Sequence, residues 1–98
     1  MAISSEDIVS RSTRIAQRLF EGRMLVITAE DSLLHRFNEA GTFIWQSLEK
    51  PVTVGAICSA IERHFEGFSA KDNIGDLRLF LAALEKKGCV EILRKTGS

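Results

Sequence analysis

Leu33-Leu34-His35-Arg36-Phe37-Asn38-Glu39-Ala40-Gly41-Thr42-Phe43-Ile44 decides the fold, because the hydrophobic period changes inside it. Up to Phe37 the chain alternates. Leu33, His35 and Phe37 fall on one face of an extended segment, and Leu34 and Arg36 on the other. From Asn38 the spacing turns helical: Ala40, Phe43, Ile44, Ser47 and Leu48 form one stripe, broken by the serine. Asn38 suits an N-cap, and Glu39 places an acid in the first turn, where the helix dipole favours it. A strand therefore runs directly into a helix.

Upstream, Arg14–Phe20 and Met24–Thr28 are rich in β-formers and are separated by the tight turn Glu21-Gly22-Arg23. Ala29-Glu30-Asp31-Ser32 makes a second turn, and with Leu33–Phe37 the result is a three-stranded meander. Downstream, Glu49-Lys50-Pro51 ends the first helix, because proline disfavours helix in the residue before it. Thr53 caps a second helix with the stripe Val54, Ile57, Cys58, Ile61 and Phe65, stopped near Gly67. In the third helix Ser69 and Asp72 resemble a capping box. Ile74, Leu77, Leu81 and Leu84 form its core stripe, Phe80 and Ala83 widen it on one flank, and Gly88 closes it after Lys86 and Lys87. Val90-Glu91-Ile92 alternates as a short terminal strand.

Residues 1–12 are polar apart from Ile3, Ile8 and Val9, and are expected to form a flexible arm. The domain then spans 13–94, with a tail at 95–98. Three strands followed by three helices predict an α+β, winged-helix-turn-helix-like domain. Its helices cover one face of a three-stranded antiparallel sheet that would be marginal alone.

The chain has 98 residues, which fits one domain, and 13 basic residues balance 13 acidic ones. Zero net charge removes the long-range field that draws a domain to nucleic acid or an anionic membrane. No run approaches the roughly 18 apolar residues of a membrane span, and Met1–Asp7 lacks the basic and apolar regions of a secretory signal, so a cytoplasmic setting is expected. Cys58 and Cys89 read as small buried hydrophobes. His35 and His64 belong to no metal-ligand spacing, and no phosphate-binding or nucleophile-elbow motif is present. No catalytic residue, metal or cofactor is expected. As a DNA-reading helix the third would present Lys71, Asp72, Asn73, Asp76 and Arg78, whose charges cancel. Trp45, at the margin of the first-helix stripe, and Phe80 can each be core or a binding anchor.

Three segments are together similar to the PqqD-like family. Asn38–Trp45 resembles the opening of its first helix, Thr53–Ile57 the start of its second, and Asp76–Gly88 its third. Lys50-Pro51 and Ala56 depart from it, standing where the family often has Asp-Gly and an acid. The resemblance covers about residues 14–93. It implies a RiPP recognition element, which binds the leader of a ribosomally made precursor peptide and delivers it to a modifying enzyme, such as a radical S-adenosylmethionine protein. It also implies that the peptide adds as a strand to the third strand, against the third helix. The edge would be Leu33, Leu34, His35, Arg36 and Phe37; the helix wall would be Asp76, Phe80, Ala83 and Lys87. The alternatives are a winged-helix nucleic-acid binder, or a structural or dimerisation domain with no peptide ligand; an exposed edge strand can also pair with its own copy, giving a homodimer.

Overall fold

In the computed structural model, residues 3–29, 34–65 and 70–94 are described, without the side chains of 70–73. The elements are β1 (Ile8–Arg11), β2 (Ile15–Phe20), β3 (Arg23–Thr28), β4 (Leu34–Arg36), α1 (Glu39–Gln46), β5 (Val52–Thr53), α2 (Val54–His64), α3 (Ala70–Lys86) and β6 (Val90–Leu93). The α+β class holds: a three-stranded antiparallel sheet, β2-β3-β4, precedes three helices. Leu33, the turn residues 30–32, Gly67, Ser69, the Asp72 side chain and the 95–98 tail lie outside the described residues.

The β2–β3 hairpin closes through Glu21 and Gly22, whose φ values of 52° and 79° are the paired positive angles of a type I′ turn. Glycine takes this angle without strain; Glu21 is the non-glycine residue forced into it. The turn sets the register from Phe20↔Arg23 to Ile15↔Thr28, and β4 pairs β3 through Leu25↔Arg36, Val26↔His35 and Ile27↔Leu34. On β3, Met24, Val26 and Thr28 are buried beneath α1, as period-two alternation requires.

Asn38 caps α1 as expected, its Oδ1 accepting from Gly41 N–H at 2.8 Å. The buried face is rotated from the expected stripe: Gly41, Thr42, Ile44 and Trp45 are buried, Phe43 is half-buried and Ala40 exposed. The reason is hydrogen bonding. Thr42 Oγ1 accepts from Met24 N–H at 2.9 Å, and Trp45 Nε1–H donates to Gln17 Oε1 at 2.5 Å, locking α1 on the sheet. Trp45 is therefore core, fully buried.

The flexible arm expected over residues 1–12 does not describe residues 3–11. β1 lies between β5 and β6 in a second antiparallel sheet. Ile3 and Val9 are buried, and Asp7 accepts from Ser4 N–H and Oγ–H at 2.9 and 3.1 Å. Arg11 reaches α1, donating from Nη2 to the Trp45 carbonyl at 2.7 Å with its guanidinium 5.1 Å from the indole centroid. Backbone pairing is invisible to hydropathy, so two apolar anchors suffice to place a segment that looks polar.

Thr53 caps α2 as expected, accepting from Ala56 N–H at 3.1 Å, and Val54, Ile57, Cys58 and Ile61 are buried. Burial raises the Cys58 thiol pKa, consistent with a packing role. Along α3, Leu77, Leu81 and Leu84 enter the core, while Ile74 and Phe80 pack against its margin. Gly88, at φ 82°, turns the chain into β6. Glu85 then takes a bidentate pair from Arg94 at 2.7 and 2.8 Å, and these hydrogen bonds hold its carboxyl below the usual range.

Candidate functional site

Only alternate peptide groups of β4 are used by β3. Phe37 N–H donates to the Met24 carbonyl at 3.0 Å, and the Val26↔His35 pairing continues that phase. The backbone groups of His35 and Phe37 thus point toward β3, and those of Leu34 and Arg36 point away. No strand covers that side of β4 among the described residues, so it is an open edge. β2 also ends the sheet, but the edge of β4 runs beside α3.

Between β4 and α3 lies a groove of about 350 Å³. Leu34, His35, Arg36 and Phe37 border it on one side; Phe80, Ala83 and Lys87 border it on the other, with Leu84 at its base. Eight of the nine expected site residues are described, and these seven meet here. The spacing of Phe80, Ala83 and Lys87, at i, i+3 and i+7, is what aligns them on one flank of α3. Leu34 and Arg36 are exposed, whereas His35 is half-buried and Phe37 buried. His35 Nε2 is shielded from solvent and has no hydrogen-bond partner among the described residues.

The eighth residue, Asp76, sits one turn earlier on α3 and opens on a second hollow of about 460 Å³. Ile44, Ile61 and Leu77 make this hollow apolar, Phe65 closes one side, and Asn38 and Asp76 supply polar groups. Phe80 belongs to both hollows and divides them. Its ring meets Phe37 edge-on, with centroids 5.9 Å apart, so this side chain is at once core margin and groove lining.

Gly41 makes that position of Phe80 possible. A Cβ at residue 41 would stand 3.2 Å from Phe80 Cζ, from Phe37 Cβ and from Asn38 Oδ1. Asn38, Gly41, Ile44, Ile61 and Phe65 line the second hollow although their sequence pattern marks none of them as a site residue. The one available signal was a glycine early in a helix, where it costs about 0.5–1 kcal/mol relative to alanine and so calls for a packing reason.

The described residues hold no group of three His, Cys, Asp or Glu side chains that could bind a metal ion, and no helix among them is long and apolar enough to cross a membrane. Fold and site together define an α+β domain with one strand edge open beside a helix. The chain belongs to the coenzyme PQQ synthesis protein D (PqqD) family, whose model it matches over residues 23–90. Among solved structures it is similar to TbiB1 in complex with the TbiA(beta) leader peptide. The TM-score is 0.77 and the identity 22%, over 84% of this chain and 94% of that one; at this identity the likeness is one of fold. A comparison with curated proteins gives no match.

Proposed function

We propose that this chain captures the leader of a ribosomally made precursor peptide as an added strand on β4 and presents it to a modifying enzyme, without chemistry of its own. The observation that carries this reading is the open β4 edge facing the Phe80 flank of α3. The family membership and the leader peptide bound by the similar TbiB1 support it. The peptide groups of Leu34 and Arg36 would make the ladder, with each hydrogen bond contributing about 0.5–1.5 kcal/mol net. An apolar leader side chain would enter the hollow beside Phe80, and a basic one would meet Asp76. A radical S-adenosylmethionine protein is one enzyme class such a domain would serve, in a cytoplasmic setting.

The test is an amide chemical-shift titration of labelled protein with the leader of its cognate precursor peptide. Shifts concentrated on residues 34–37 and 76–87 are expected. Shifts confined to α2 or to the β2–β3 turn reject the reading. So does a change in the precursor's mass when it is incubated with this protein alone, which would reveal an enzyme.

A further inference from the structure

Among the described residues nothing covers the face of the β2-β3-β4 sheet turned away from α1, and the charged strand residues on it are all arginines. Because Met24, Val26 and Thr28 point inward, Arg23, Leu25 and Ile27 point outward. The register sets three rows across this outer face. Phe20 lies beside Arg23; Arg18 and Arg36 flank Leu25; Ala16 and Leu34 flank Ile27. Phe20, Ile27 and Leu34 are 57%, 41% and 53% exposed, an apolar surface of the kind that marks an interaction site. A hollow of about 230 Å³ indents it between Phe20, Arg23, Leu25 and Arg36, with Glu21 of the turn at its border.

The whole chain is neutral, yet this face carries three arginines, none in an ion pair among the described residues. Arginine and aromatic side chains around an apolar centre are the composition of a protein interface. Two copies placed face to face would set arginine against arginine, so charge opposes self-association through it. Its complement is an apolar surface ringed by carboxylates. We propose that the outer sheet face docks such a surface on the enzyme that modifies the peptide. The partner's identity rests on the function proposed above; the chemistry of the face does not. Leu34 and Arg36 lie on β4, so a strand added at that edge would extend the same face, and the enzyme would meet domain and peptide side by side.

The test compares wild type with Phe20→Ser and with Arg18→Glu/Arg23→Glu. These three positions are exposed and lie outside the groove, and circular dichroism verifies the fold. Affinity is measured for two probes, the cognate leader peptide and the enzyme that modifies its precursor. Both variants are expected to weaken enzyme binding at least tenfold and to leave leader affinity within twofold, and the double variant should flatten the salt dependence. Enzyme affinity unchanged in both variants, or no enzyme binding by wild type, overturns the proposal. It is equally overturned by a dimer in sedimentation that Phe20→Ser dissociates, or by arginine-dependent binding to phosphatidylserine vesicles with enzyme affinity unaffected. If wild type fails to bind leader while enzyme binding falls as expected, the leader-capture reading is lost and the docking face stands.

Discussion

Phe80→Ala separates a groove from a mere core margin, because the two roles predict different losses. A fully buried phenylalanine costs about 3–5 kcal/mol on truncation to alanine. Phe80 is half-buried, with Phe37 and Gly41 on its inner side and a hollow on either flank, so roughly half that cost, about 2 kcal/mol, is expected. The edge-on contact with Phe37, at 5.9 Å, accounts for about 0.5–1.5 kcal/mol of it. In a domain of this size the melting temperature should fall by roughly 10 °C, leaving the protein folded at 20 °C. As an anchor wall for the leader, the same ring is worth about 2 kcal/mol more in binding, a Kd increase of about 30-fold. Thermal melts by circular dichroism read the first loss, and isothermal titration with the leader at 20 °C reads the second. Phe80→Leu, which keeps most of the volume, should recover most of the stability and part of the affinity. A folded Phe80→Ala protein that binds leader within threefold of wild type would refute the groove.

Proline scanning of β4 should show the two-residue phase of its backbone. Arg36→Pro removes an N–H from the open edge and should cost leader affinity with a small change in stability, whereas His35→Pro removes a donor to β3 and should lower the melting temperature more. Gly41→Ala gains helix propensity of about 0.5–1 kcal/mol but pushes a Cβ to 3.2 Å from Phe80, so leader affinity should fall several-fold while stability changes little. A melting temperature raised with affinity intact would show that the ring yields freely. Acid titration should expose the Glu85–Arg94 clamp. The hydrogen bonds from Arg94 lower the Glu85 pKa in the fold, so its stabilisation is present above the ordinary glutamate pKa and is lost as pH falls through the lowered one. Arg94→Ala should be less stable than wild type near neutral pH, and the difference should shrink as pH falls through the lowered Glu85 pKa; superimposable curves for the two proteins would discount the pair.

What the sequence determined by itself is local. Side-chain oxygens at Asn38 and Thr53 cap helices wherever those helices go, and Glu21-Gly22 turns a hairpin through its own φ angles. The period change at Phe37 places a strand before a helix, and the spacing of Phe80, Ala83 and Lys87 puts them on one flank. Tertiary structure decided what depends on distant partners. β1 became a strand because β5 and β6 offered it backbone groups on both sides, a preference no side-chain pattern reports. α1 was rotated toward Trp45 by its bond to Gln17, 28 positions away in the chain. Which β4 peptide groups stay free follows from pairing phase, and the second hollow exists because α1, α2 and α3 meet around a glycine. Propensity and capping act over one turn of chain, whereas pairing phase and cavities arise only once remote segments touch.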